Sequence, residues 1–492
     1  ANNGQIPVSS SRLEIYGVLG SIRLLAGPYL VVVTGRVKVG TINNQTIWKL
    51  TSTEVIPYPR TLTHLSDSQV RMDREYKAMI ELILATPSFY FSYTYDLTYS
   101  LQRLHNISLD FFTHPLHRRA DARFVWNRHL LKEFAANPEL ADYCLPIMMG
   151  FISITSCVLN GKSFSFAVVS RRSCLRAGTR LFTRGVDSAG NVANYVETEQ
   201  IVETSHDRAS FVQTRGSIPL YWQQWPNLKY KPTPRLIDGE NHQEAFTRHF
   251  DSQILEYGRQ VIVNLVNQTG SEGVLEKHYR EMVQKVGNPN IRYEFFDFHA
   301  ECSKMRWGRL KILIDRLALD QEQQGVTMSN KDDNLVSMQD GVFRTNCIDC
   351  LDRTNVVQSM LARSSLNYVL QKLSILKSGQ KVEDVAWLES LFKTVWADNA
   401  DAISVQYSGT GALKTDFTRT GKRSWAGVLQ DGVNSATRYY RNNFTHGFRQ
   451  DAIDLLLGNY VVEEGEGVIE RSPLEVERGW RYITVSTRRT IK

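Results

Sequence analysis

One stretch of the 492-residue chain gathers residue types that can handle a phosphate ester: Arg344-Thr-Asn-Cys347-Ile-Asp349-Cys350-Leu-Asp352-Arg353-Thr354-Asn355. A cysteine followed six positions later by an arginine closes a loop of about the size that wraps one phosphate group. Backbone N–H groups of such a loop converge on the anion, and a helix beginning just beyond it adds positive partial charge. The same field favours the thiolate of Cys347, the form that attacks. Arg353 offers a planar fork to two non-bridging oxygens, which a lysine could not match. Thr354 can hydrogen-bond the sulfur and so improve it as a leaving group when a phosphocysteine is hydrolysed. Protonating the departing oxygen needs a carboxylic acid within hydrogen-bond reach. Asp349, inside the loop, is the first choice for that acid. Asp352 is the second, unless it is turned away to steady the loop, and Asp297 and Asp398 are more distant options.

Cys347 and Cys350 also have the spacing of half a zinc site or of a redox pair. A tetrahedral zinc site wants four ligands, and the sequence holds no second Cys-x2-Cys or His-x3-His unit. Cys350 therefore reads as a packed thiol. Six cysteines in so long a chain do not form a disulfide framework and fit a reducing compartment.

The elements that must position this loop follow from periodicity. Gly341 to Asn346 is a strand leading into the loop, and Thr354 to Leu376 is a helix leading out of it. Gln260–Val266 and Ile291–Phe298 read as buried strands and Arg309–Leu317 as a helix, an alternation that argues α/β with a parallel or mixed sheet. The first third differs. Tyr29–Thr34 and Val37–Ile42 are β-branched runs separated by Gly35, which reads as hairpin punctuation. A helix is predicted over Asp67–Leu84, closed by Pro87, and a strand over Phe164–Ser170 after an Asn160-Gly161 turn. The fold class is thus α/β in its catalytic part and α+β overall. Its expected division is residues 1–165, 166–460 and a loosely held tail 461–492.

The formal net charge is +7. Between Tyr407 and Gln450 stand seven basic residues (Lys414, Arg419, Lys422, Arg423, Arg438, Arg441, Arg449) against Asp416 and Asp431. That field would attract phosphate groups or an anionic membrane surface, unless it is a solvated face. Lys414, Arg419, Lys422 and Arg423 are candidates to contact a second phosphate or an inositol ring. No run of about 18 apolar residues is present. The chain opens at Ala1 with no signal-peptide pattern, which suggests a trimmed fragment.

The string from Arg344 to Asn355 closely resembles the signature of the Sac-domain phosphoinositide phosphatases. The likeness extends to Arg171–Arg180, Val196–Gln200, Gln213–Pro219, Asn227–Pro232, Trp396–Ala400 and Gly409–Arg423, so it covers the chain from about Tyr16 to Tyr460. Within that family the chain is most similar to the animal phosphatidylinositol 4-phosphate phosphatases of the endoplasmic reticulum and Golgi. The resemblance implies a β-rich N-terminal Sac subdomain followed by an α/β cysteine-phosphatase domain. It also implies action on phosphatidylinositol monophosphates at the 4 and 3 positions without a metal or other cofactor, with Cys347 as nucleophile and Arg353 as phosphate ligand. The implied partners are a phosphoinositide lipid and an anionic membrane, with no nucleic acid. The implied location is the cytosolic face of those membranes, held by two C-terminal membrane helices. Two departures stand out: family members have additional residues before Gly17, and Arg481–Lys492 lacks the hydrophobic span expected after Trp480.

Overall fold

A computed structural model describes residues 12–58, 61–229, 231–302, 307–330, 332, 334–413, 419 and 425–462. Among the described residues fifteen strands appear in chain order: β1 (Gly17–Leu24), β2 (Gly27–Ile42), β3 (Gln45–Pro57), β4 (Phe89–Phe91), β5 (Met148–Leu159), β6 (Lys162–Arg172), β7 (Val196–Glu203), β8 (Asp207–Arg215), β9 (Trp222–Gln223), β10 (Arg235–Leu236), β11 (Gln260–Asn264), β12 (Ile291–Phe295), β13 (Thr327–Asn330), β14 (Leu335–Ser337) and β15 (Val342–Asn346). One 13-stranded sheet runs β1-β2-β3-β4-β5-β6-β7-β8-β15-β11-β12, with β13 paired to β8 and β14 to β13 off that path, and β9 and β10 form a separate pair.

Strands β1 to β8 follow one another antiparallel. The sheet then changes character at β8. Its first half pairs antiparallel with β13, and its last residues pair parallel with β15 through Arg344↔Thr214 and Thr345↔Arg215. Beyond that point β15, β11 and β12 are all parallel. Four parallel strands therefore end side by side at their carboxyl edge, the place where open α/β sheets present their ligand sites.

Several expected elements are present at close to their expected bounds. The helix Asp67–Leu84 starts at Ser66, whose hydroxyl caps Gln69 N–H in a capping box. Asn160 and Gly161 both have positive φ, 50° and 80°, and Leu159 pairs with Lys162, so they form the two-residue turn of the β5–β6 hairpin. Gly35 is a correction. It lies within the 16-residue β2, where the register shifts on both sides of it, so it marks a bulge and not a turn. Ser52 and Thr51 of β3 press against it and leave no room for a Cβ.

The expected division at residue 165 falls inside β6, which is paired along its length to β5 and β7, so the two parts share one sheet. The chain also returns across it: Ile453, Leu455 and Leu456 of the helix His446–Leu457 pack with Met79, Ile80 and Ile83 in the N-terminal core. Around the parallel strands, alternation sorts the core in two. Val261 and Val263 face the helix Asp352–Lys372, while Ile262 faces Phe246, Phe250 and Tyr279 on the other side. The expected tail lies outside the described residues apart from Val461 and Val462.

Candidate active site

The loop begins where β15 ends. Cys347 is buried at 3% exposure, and Thr354 Oγ1 donates to its sulfur at 3.5 Å. Thr354 sits in the first turn of the helix Asp352–Lys372, which begins two residues earlier than the sequence reading placed it. Cys350 has φ of 55°, uncommon for a residue with a Cβ, and its thiol donates to the Cys347 carbonyl at 3.4 Å. Burial first, then the neighbouring Cys347, push the Cys350 thiol up to about 12. It stays a thiol at neutral pH.

Other carbonyls of the loop are held from outside. Arg184 Nη1 donates to the Ile348 oxygen and Asn194 Nδ2 to the Asp349 oxygen, both at 3.0 Å. Beneath the loop lies Arg215, the last residue of β8 and fully buried, with Nη2 donating to Asn355 Oδ1 at 3.3 Å. Burial pulls its pKa down to about 10, while Cys350 and Cys347 pull it back up. A cation is thus fixed under the two sulfurs.

The two loop carboxylates differ. Asp349 forms ion pairs with Arg180 at 2.9 Å and Arg184 at 2.6 Å. Burial would push its carboxyl up, but the two guanidinium groups outweigh it and hold the pKa far below the usual range. Asp352 is 33% exposed and opens the helix. Its Oδ1 accepts from Leu413 N–H at 2.9 Å, and its Oδ2 lies 3.6 Å from Arg438 Nη1. There burial wins over Arg438 and the amide, and the carboxyl sits above its usual range.

Arg353 is turned away from an open fork. Nη1 donates to Glu272 Oε2 and Leu265 O at 3.0 Å and to Asn267 Oδ1 at 3.2 Å, and Nη2 donates to Glu272 Oε1 at 3.0 Å. The acceptors come from the segment that follows β11, so adjacent parallel strands supply the arginine and its partner. A carboxylate occupies the fork in the bidentate manner a phosphate would.

A cleft of about 290 Å³ joins these groups. Cys347, Asp349, Asp352, Arg353 and Glu272 line it together with Arg180, Lys229, Lys231 and Arg438. Five cations face three acids, which suits a polyanionic ligand. Among the described residues no three His, Cys, Asp or Glu side chains gather as metal ligands would.

The other candidates lie elsewhere. Arg419 is paired with Asp398 at 2.7 Å and Asp401 at 3.0 Å, which also accounts for Asp398. Asp297 accepts from Ala300 N–H at 2.9 Å and Gln268 N–H at 3.0 Å, capping a short helix. Lys414, Lys422 and Arg423 lie outside the described residues. Arg438 donates to Thr410 and Ser404, Arg441 to the Gly409 carbonyl and Arg449 to Thr86. Each described arginine of the basic segment thus has a partner within the chain, Arg438 at the cleft and Arg441 at the exposed surface.

Sequence reasoning gave no role to Arg180, Arg184 or Glu272. The first lies in the block Arg171–Arg180, whose other end is structural: Arg171 is buried between Glu197 at 2.8 Å and Glu199 at 2.7 Å. Glu272 carries no local signal at all.

A Cys-x5-Arg loop set between a parallel strand and a helix, beneath a net cationic cleft, is the architecture of the cysteine-dependent phosphatases. Comparison with known proteins narrows the class. Residues 16–303 match the SacI homology domain, and the chain belongs to that family. It is 52% identical over 480 residues to phosphatidylinositol-3-phosphatase SAC1-B of Danio rerio, covering 98% of this chain and 81% of the relative. It is 53% identical over 490 residues to phosphatidylinositol-3-phosphatase SAC1 of Drosophila melanogaster, with the same coverage of 98% and 81%. The Saccharomyces cerevisiae SAC1 phosphatase is 42% identical over 472 residues, 93% of this chain and 74% of that one.

Proposed function

We propose that this chain is a phosphoinositide phosphatase that converts phosphatidylinositol monophosphates, the 4-phosphate chiefly and the 3-phosphate also, to phosphatidylinositol through a phosphocysteine on Cys347. The observation that carries this reading is Cys347, with Thr354 on its sulfur, facing one cationic cleft with Arg353 and with Asp352, whose carboxyl burial pushes above its ordinary range.

The Cys347 thiolate attacks phosphorus as the ester P–O bond breaks, and Asp352 gives its proton to the departing inositol oxygen. Asp352, now a carboxylate, takes a proton from water as that water attacks phosphorus. The P–S bond breaks, and Thr354 stabilises the sulfur as it leaves. Arg353 exchanges Glu272 for the phosphoryl oxygens. Asp349 is reassigned from acid to anchor, since a carboxylate held by two guanidinium groups has no proton to give at neutral pH. The loop and Arg353 neutralise the phosphate, so no metal step is needed. The proposed place of action is the cytosolic face of endoplasmic reticulum and Golgi membranes, as the family resemblance implies.

The test is phosphate release from vesicles carrying phosphatidylinositol 4- or 3-phosphate, set beside a phosphotyrosine peptide. Release from both lipids and not from the peptide supports the reading. Release from the peptide alone would replace it with a protein phosphatase, and binding of lipid without release by an inactive member.

A further inference from the structure

The helix Trp425–Phe444 presents two adjoining faces. Ser435, Arg438, Tyr439 and Asn442 line the catalytic cleft. Beside that face, at helical spacing, stand Trp425 (91% exposed), Val428, Leu429 (73% exposed), Val433 and Tyr440, all in solvent. Gly432 and Ala436, also exposed, lie on the same stripe.

An adjoining part of the cleft rim has the same character. Lys229 and Lys231 line the cleft, while Trp225 and Leu228 on the same segment are exposed. Leu228 has φ of 61°, a left-handed conformation that costs a bulky side chain energy and persists only where its surroundings fix it. They do fix it. Asn443 Oδ1 accepts from Leu228 N–H at 3.2 Å, and Tyr439 O–H donates to the Leu228 carbonyl at 2.9 Å. The helix clamps both backbone groups of a strained leucine and leaves its side chain in water.

We propose that these two apolar lips enter a lipid bilayer and seat the cleft mouth on the membrane surface. The inference rests on the phosphoinositide reading above and says how the headgroup is reached. A lipid substrate keeps its acyl chains in the bilayer, so a cleft that takes its headgroup must open against the interface. An apolar stripe on a helix otherwise polar, with cationic side chains alongside, is the pattern of interfacial insertion. A protein partner would find no such reason to lie at this mouth.

The test compares the unmodified protein with the triple variant Leu228→Asn, Trp425→Gln, Leu429→Gln. Asparagine tolerates the left-handed backbone, so the clamp is kept. With vesicles of phosphatidylcholine and phosphatidylserine, the variant is expected to partition about tenfold or more weakly. Its phosphate release from vesicle-borne substrate should fall in parallel, while release from a short-chain, water-soluble phosphoinositide stays within about twofold of the original. Unchanged partitioning would overturn the proposal, as would an equal loss on both substrates. A dimer of the unmodified protein that dissociates in the variant would assign the lips to a second copy instead. If the unmodified protein released no phosphate from the soluble substrate, the functional reading would fail, and vesicle partitioning would still decide the role of the lips.

Discussion

On the wall built by residues 180–184, Asp349 meets two guanidinium groups at 2.9 and 2.6 Å. Three residues along the same loop, Asp352 meets one at 3.6 Å, and Arg438 shares that charge with Thr410, Ser404 and the Gly411 carbonyl. Both carboxyls are partly shielded from water, so burial pushes both up. The outcome is set by how fully the cation is committed. Asp349 is held ionised, while the Asp352 carboxyl is pushed above its ordinary range. One loop thus holds two aspartates whose carboxyls are shifted in opposite directions by their surroundings, the basis for the anchor and acid roles proposed above.

The largest effect tests the nucleophile that both walls serve. Cys347→Ser should abolish turnover with the fold intact, measured as phosphate release and thermal unfolding. Cys350→Ser should keep most activity, since that thiol is pushed up to about 12 and is not the attacking form. Equal inactivity in two well-folded variants would undo the assignment.

Next comes the acid wall. Asp352→Asn should lower kcat on phosphoinositide by about 100- to 10,000-fold. An aryl phosphate whose leaving group needs no proton should lose far less. The unmodified enzyme should lose rate as pH rises through the raised pKa of Asp352, and the variant should lose that limb of its profile. If both substrates fell alike, the proton would come from elsewhere.

The anchor wall should answer in stability. Asp349→Asn leaves Arg180 and Arg184 without their counter-charge, a change that costs about 3 kcal/mol in comparable buried pairs. Urea midpoints would show it. Because the folded pKa is depressed, the contribution is present above the unfolded value of about 3.9 and is lost as pH falls through the lower folded one. The gap between variant and parent should therefore close in acid. A rate loss as deep as that of Asp352→Asn, at unchanged stability, would reverse the two roles.

What the sequence discloses here follows chain distance. Cys347, Arg353 and Thr354 lie within eight residues, and strand, loop and helix follow from local periodicity, so their conjunction is readable. The Asn160-Gly161 turn is readable for the same reason. Gly35 misleads because a glycine demanded by the neighbouring strand looks like one demanded by a turn. The roles of Asp349 and Asp352 depend on partners 165 and 61 positions away, at Arg184 and Leu413, and no periodicity encodes those meetings. The four described basic residues between Tyr407 and Gln450 (Arg419, Arg438, Arg441 and Arg449) all have partners within the chain for a related reason: composition reports charge, and packing decides what it meets.

The smallest effect concerns Glu272, 81 positions from Arg353 and bound to it in the two-point geometry that phosphate would use. Glu272→Gln removes the competing charge but keeps an oxygen acceptor, and the contacts of Arg353 with Leu265 and Asn267 remain. Phosphate should then find the fork easier to take. Inorganic phosphate should inhibit the variant about fivefold more tightly, and KM should fall while kcat changes little, since the ionic pair is given up on binding and not in the chemical step. High salt should narrow the difference, because the pair is partly exposed, at 21% and 15%. The opposite result, weaker phosphate inhibition with a lower kcat, would mean that Glu272 aims Arg353 at the substrate and does not compete with it. Either outcome separates a carboxylate that yields its place from one that holds the arginine in it.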